Sequence, residues 1–466
     1  MKLKRSICAI ALVCIMLASS FTVQAVNVVQ VPDADVQTVY NQAVQSNRIQ
    51  NWPKGPQIYS EAGIVMDMDS GAILYAKNID NPHYPASITK ILTALVALEN
   101  SELTDTVTVK REDVSFLTAG DNHIGLKVGE EISMKDALHG ALLASGNEVA
   151  HAIGSSIEGG YDSFLEKMNN KAKELGCTNS NFTNTHGLHE SEHYTTVRDM
   201  ALISTAAFQN EDFRKITGTL QYKIPTTNLT NQERGMEQHH KMMFDWRSEY
   251  YEYCVGGKTG YTRQALNTLV TFATKDGVNL VAVVLRAHGK GKTFIDTEAM
   301  LEYAFDNFEK VPVKKDMIEG AEIESVDKAA YVMLPKGVEY KDLTYTIEEP
   351  TELGDFEGTV TYKYGDAIVG KVTFKITEAR HNAIHNIKET KPAKKQSKGG
   401  SVVGVLAKIV LILLFVAIVL LLLLMLYGMY RRKKRRKRRA ELRRQRREME
   451  YRRHLQRMDI VDEDDL

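Results

Sequence analysis

Pro85-Ala86-Ser87-Ile88-Thr89-Lys90-Ile91-Leu92-Thr93-Ala94-Leu95 is the stretch on which the fold turns. Ile88, Ile91, Leu92, Leu95 and Leu98 recur at helical spacing, which predicts a helix over residues 87–99. Positions i and i+3 share a helix face, so Lys90 can reach the Ser87 hydroxyl. Ser87 stands at the helix start, where the peptide dipoles favour an alkoxide. Lys90 lies in an apolar run, where burial lowers its pKa and leaves a neutral amine able to act as base. Alone, Ser-x-x-Lys is a weak signal, and a surface helix cap explains it better.

Two further segments change that balance. Ser145-Gly146-Asn147 breaks the apolar pattern between Ala141-Leu142-Leu143 and Val149-Ala150-Ile153. By itself it reads as a helix–helix turn. Lys258-Thr259-Gly260 precedes a β-rich pair at 268–273 and 278–286, and reads as a strand edge or a solvated turn. The order carries the argument: Ser-x-x-Lys, then Ser-x-Asn 58 residues later, then Lys-Thr-Gly. With Asp69-Ser70-Gly71, Asn184-Thr185-His186-Gly187-Leu188 and Tyr261-Thr262, these motifs make the chain resemble one family. It is that of the low-molecular-mass penicillin-binding proteins, serine-type D-alanyl-D-alanine carboxypeptidases. The likeness covers residues 60–380.

The resemblance implies an α/β fold of the penicillin-binding and β-lactamase-like transpeptidase type, with a small C-terminal all-β domain. It implies that Ser87 attacks the penultimate D-Ala carbonyl of a peptidoglycan stem, with Lys90 as base. Ser145 and Lys258 would relay a proton to the leaving D-Ala, and Asn147 would orient Lys90 and the substrate amide. The N–H groups of Ser87 and Tyr261, the latter following Gly260, would form an oxyanion hole, and Thr259 would hold the substrate carboxylate. β-Lactams would be acylating inhibitors. The family uses no metal or cofactor, and the spacing of His186 and His189 matches no closed zinc site.

Two positions depart from the family pattern. Ala265-Leu266 stands where Ala-Gly is common, and Thr293 stands where many relatives carry a carboxylate-binding arginine. Lys292 beside it is the expected substitute, with weaker, non-bidentate geometry. A D,D-transpeptidase or endopeptidase of the same family and an inactive wall-binding penicillin sensor are the alternatives. A class A β-lactamase would need a carboxylate to activate the deacylating water, and the sequence identifies none.

Working outward, 63–67 and 72–76 flank Asp69-Ser70-Gly71 as a hairpin. Ser133-Met134-Lys135-Asp136 starts one helix, and Gly176 ends another that begins at Tyr161. Residues 294–308 return to helical spacing. The catalytic α/β unit is expected over 58–310, after a loose polar lead-in at 26–57. Val360, Tyr362 and Tyr364, then Val372, Phe374 and Ile376, alternate around Gly365-Asp366 and place an all-β domain at 311–379. Residues 380–401 read as a linker. Cys177 and Cys254 lie in the secreted body, where pairing stays open.

The two ends set the topology. Lys2, Lys4 and Arg5, an apolar core and Val23-Gln24-Ala25 form a signal peptide over 1–25. A membrane helix is expected over 402–430, whose Ile409–Tyr430 core is 22 uncharged residues. The tail 431–466 carries 16 basic against 8 acidic residues, starting with a run of nine Arg and Lys. That tail should stay cytoplasmic, with the body extracytoplasmic on a single-pass anchor in the cell membrane. Residues 26–400 hold 39 basic and 51 acidic residues, a net −12 that argues against nucleic acid as partner.

Overall fold

The computed structural model describes residues 35–289, 291–319 and 322–385. The expected signal, span and basic tail lie outside them. Among the described residues no helix is long and apolar enough to cross a membrane.

The lead-in is not loose where it is described. It forms helix α1 (Val36–Tyr40) and a 3-10 turn (Gln45–Arg48). Trp52 then buries its ring against Phe308, centroids 5.0 Å apart, and its indole N–H donates to Leu74 O at 3.2 Å. A lone tryptophan in a polar stretch was the one sequence sign of this anchor, since its ring gains far more by burial than its neighbours do.

β1 (Ser60–Asp67) and β2 (Ile73–Lys77) make the expected hairpin, with Asp67 Oδ1 accepting from Ser70 N at 2.8 Å and Ser70 Oγ at 2.6 Å. α2 (Lys90–Asn100) follows. A helical layer then adds α3 (Arg111–Ser115), α4 (Met134–Leu142), α5 (Asn147–Ser156), α6 (Gly160–Glu174), α7 (Val197–Gln209) and α8 (Glu211–Thr217). Ser133 caps α4 by accepting from Asp136 N at 3.1 Å, so the helix starts where the sequence places it. Two small two-stranded sheets decorate this layer: β3 (Thr106–Thr108) with β4 (Glu131–Ser133), and β5 (Gln221–Ile224) with β6 (Arg234–Glu237).

β7 (Cys254–Thr262), β8 (Leu266–Lys275), β9 (Val278–Ala287) and α9 (Lys292–Asn307) complete the catalytic unit. The five strands form one antiparallel sheet in the order β2-β1-β9-β8-β7. Strands from the two ends of the unit therefore meet at β1–β9. β9 is apolar on both faces because both are covered. Val281, Val283 and Leu285 pack into the core with the helical layer, and Leu280, Ala282 and Val284 into the core with α9.

That second core continues into the β domain: β10 (Phe308–Pro312), β11 (Ile323–Val326), β12 (Tyr331–Pro335), β13 (Thr344–Glu348), β14 (Glu357–Tyr364) and β15 (Ala367–Ile376). Four strands pair in the order β11-β15-β14-β13, and β10 pairs with β12. β10 runs straight on from α9 and straddles the expected boundary at 310. Past β15 the chain forms α10 (Glu378–Ile384), capped by Thr377, where a linker was expected from 380. Cys177 and Cys254 are both free thiols.

Candidate active site

Ser87 lies in a 3-10 turn (Ala86–Thr89) that runs into α2. Ala86 before it has φ +52°, a conformation that costs a residue with a Cβ. Neighbours hold it there. Thr89 Oγ1 donates to Ala86 O at 2.8 Å, and Thr268 Oγ1 donates to Pro85 O at 2.8 Å. Gly187, at φ +85°, presses so close to Ala86 O that a side chain there would collide with it. Gly260 is constrained as well, because a Cβ on it would stand 2.9 Å from Ser87 N. Strand β7 thus abuts the Ser87 turn.

Lys90 is wholly buried. Its Nζ lies 3.1 Å from Ser87 Oγ, 2.8 Å from Asn147 Oδ1 and 2.6 Å from His186 O. Desolvation first, and the Lys258 charge second, hold its pKa well below the lysine range. A neutral amine has two N–H groups and one lone pair. The carbonyls of Asn147 and His186 take the former, and Ser87 O–H can donate to the latter.

Ser145 sits in the turn between α4 and α5 at φ +60°, and its buried Oγ has no hydrogen-bond partner among the described residues. Ser145 lines the cavity in front of Ser87. Asn147 opens α5, and its N–H donates to Asn122 O at 2.8 Å. Glu148 Oε1 accepts from Ile124 N at 2.6 Å and Gly125 N at 3.0 Å, which pins the 120–126 loop as a wall of the site.

Lys258, Thr259, Gly260 and Tyr261 lie on β7 itself, the sheet's edge strand, rather than on a turn before a strand pair. Among the described residues its outer side has no strand neighbour, and it can meet an extended ligand. Lys258 is buried, and desolvation pushes its pKa down to about 7. Its Nζ donates to Thr259 O at 2.9 Å.

These parts enclose a cavity of about 410 Å³ lined by Ser87, Ser145, Asn147, Thr259, Gly260 and Tyr261, together with Asp121, Asn122, His239, Lys241 and Thr293. Lys292 does not take the place expected of it. It extends from the first turn of α9 over the Tyr59 ring, 3.9 Å from the centroid, where cation–π attraction holds it away from the cavity. The two motif histidines also part. The His186 ring stacks on Phe116 at 4.7 Å, and His189 packs edge-on against Tyr84 at 4.5 Å.

The sequence reading missed the His186 carbonyl, Asn122, Glu148, His239 and Lys241. Glu148 alone gave a sign, as a carboxylate inside an apolar helical run. The rest arrive from loops that only the tertiary fold brings in.

A family model for D-alanyl-D-alanine carboxypeptidases matches residues 49–289. The chain is 32% identical over 261 residues to D-alanyl-D-alanine carboxypeptidase DacF of Bacillus subtilis, covering 55% of this chain and 64% of that one, just under two thirds of its length. It is 30% identical over 351 residues to DacC of Escherichia coli, covering 69% of this chain and 82% of that one. The crystal structure of the Streptomyces K15 DD-transpeptidase superposes with a TM-score of 0.51 at 28% identity, covering 54% of this chain and 99% of that one.

Proposed function

The chain belongs to the D-alanyl-D-alanine carboxypeptidase family, and from that premise we propose that it removes the terminal D-alanine of peptidoglycan pentapeptide stems through an ester on Ser87. Ser87 Oγ bonds to the penultimate D-Ala carbonyl carbon as its proton passes to Lys90 Nζ. The N–H groups of Ser87 and Tyr261 receive the oxyanion. The peptide C–N bond then breaks, and the leaving nitrogen takes a proton through Ser145 and Lys258. Asn147 steadies Lys90 and the substrate amide, and Thr259 meets the terminal carboxylate. Water attacks the ester, the stem leaves as the shortened acid, and Ser87 regains its proton.

The observation that carries this reading is the 3.1 Å approach of a buried Lys90 amine to Ser87 Oγ. The test is mass spectrometry of the protein after incubation with penicillin. The expected adduct is on Ser87, and an adduct elsewhere, or none, overturns the assignment.

The Streptomyces relative, titled a DD-transpeptidase, favours one second reading, in which an amine rather than water takes the acyl group. Product analysis on a pentapeptide with an added amine separates the two. Free D-Ala without amine incorporation supports hydrolysis. The catalytic unit is placed outside the cell, anchored by the 402–430 segment with the tail 431–466 in the cytoplasm. The uncharged 22-residue run and its basic flank support that placement. Protease added to protoplasts should digest the body and spare the tail, and the reverse pattern overturns it.

A further inference from the structure

A substrate ending in D-Ala-D-Ala brings a carboxylate into the cavity beside Thr259. A carboxylate leaving water needs a cation or several donors. Lys90 and Lys258 are poorly suited to supply the charge, since both are buried behind the cavity wall and already donate to carbonyl oxygens. Lys292 is turned onto Tyr59. Thr293 offers a hydroxyl only. His239 also lines the cavity, and partial desolvation, then Lys258, hold its pKa down, so its ring is neutral at neutral pH.

Lys241 remains as the one lysine or arginine among the described lining residues. It opens the 3-10 turn Lys241–Met243. Its ammonium lies 2.8 Å from Glu249 Oε1 and 5.5 Å from the centroid of Phe294, the residue after Thr293 on α9. The charge is therefore anchored against the same helical turn as Thr293. Glu249 is its one hydrogen-bond acceptor among the described residues, which leaves N–H groups for a ligand. The pair is partly open to solvent, so it holds Lys241 in place while water screens part of the Glu249 charge.

We propose that Lys241 is the specificity residue that meets the C-terminal carboxylate of the stem peptide, with Glu249 and Phe294 holding its ammonium at the cavity wall. The proposal rests on the carboxypeptidase reading above.

The test uses the full chain and two substrates, a peptide ending in D-Ala-D-Ala and the same peptide with a C-terminal amide. Lys241→Met is expected to raise KM for the acid about tenfold, the scale of one charge-assisted hydrogen bond, and to change kcat/KM for the amide less than about twofold. Lys241→Arg should keep most of the preference for the acid. A parallel arm compares acylation by benzylpenicillin and by its methyl ester, and the preference for the free acid should fall likewise. Wild-type protein that labels but releases no D-Ala sinks the carboxypeptidase reading, while the penicillin pair still decides on Lys241. An unchanged preference for the acid in Lys241→Met protein that still labels overturns the proposal. Wild-type protein that neither labels nor releases D-Ala removes both.

Discussion

Lys77 at the end of β2 and Lys90 at the start of α2 are both wholly buried, and their surroundings suit them to different work. Lys77 Nζ donates to Val39 O at 2.8 Å and to Ile58 O and Ser60 O, each at 2.9 Å. Three carbonyls match the three N–H groups of an ammonium. Burial lowers its pKa only to about 8, because Asp296 and Glu61 draw it back up. Lys90 meets two carbonyls and one hydroxyl, and a second lysine adds repulsion to desolvation. Burial alone does not make a lysine a base. The number of acceptors around the nitrogen separates a staple, which ties the lead-in to the sheet, from the proton acceptor proposed for Lys90.

Lys90→Arg attacks the chemical side of that contrast and carries the largest expected effect. Arginine stays protonated and cannot take the Ser87 proton. Acylation by a β-lactam should slow by roughly 10³-fold, within the range for loss of a general base. Stopped-flow labelling measures it, and a near wild-type rate would collapse the distinction. Lys77→Met attacks the other side. It strands three buried carbonyls and should cost about 3 kcal/mol of stability by urea unfolding. Labelling per folded molecule should persist, and a loss of labelling without loss of stability would show that Lys77 is no mere staple.

Lys258→Arg sharpens the contrast with a smaller effect. Lys258 is protonated below about pH 7 and neutral above it. If it feeds a proton to the leaving nitrogen, D-Ala release should decline as pH rises through about 7. Lys90 must be neutral, so release should also decline as pH falls through its own depressed pKa. Lys258→Arg keeps the charge at all these pH values. It should cost about tenfold in kcat/KM and abolish the decline near pH 7. A decline that survives the substitution belongs to another group.

The sequence carried these two regions unequally. Helical periodicity from Ile88 to Leu98 and the alternation around Gly365-Asp366 reported α2 and the β14–β15 hairpin because each element owes its pattern to one buried face. Three ordered motifs singled out Ser87, Lys90, Ser145, Asn147 and Lys258, and the fold brings Ser87 Oγ and Asn147 Oδ1 to the Lys90 nitrogen. The pairing of β1 with β9 joins residues more than two hundred positions apart, and no local pattern encodes it. The acceptor set of Lys77 is backbone carbonyl and leaves no mark in side-chain identity. Lys292 beside Thr293 looked like the cation for the carboxylate by adjacency, but the first turn of α9 aims it at Tyr59.

The β domain belongs with the supporting side of the contrast, and Tyr331 tests that with the smallest effect. Tyr331 sits on β12, and its hydroxyl donates to Asp67 Oδ1 at 2.9 Å, at the turn of the β1–β2 hairpin. Asp67 carries a raised pKa, chiefly from burial, and the hydrogen bonds from Ser70 and Tyr331 draw it partly back. A carboxyl whose pKa is raised by folding binds its proton more tightly in the folded state. Its contribution to stability is therefore greatest when it is protonated and is lost as pH rises through the range between its unfolded and folded values. Tyr331→Phe removes a bond that favours the ionised form, so Asp67 should move further up. The substitution should cost about 1 kcal/mol at pH 7 and less below the ordinary carboxylate range, where Asp67 is protonated in either protein. Thermal unfolding at the two pH values measures the difference, and β-lactam labelling at pH 7 should keep its rate. An equal loss at both pH values would remove Asp67 from the account. A slowed labelling rate in protein that remains folded would move the β domain from support into the chemistry.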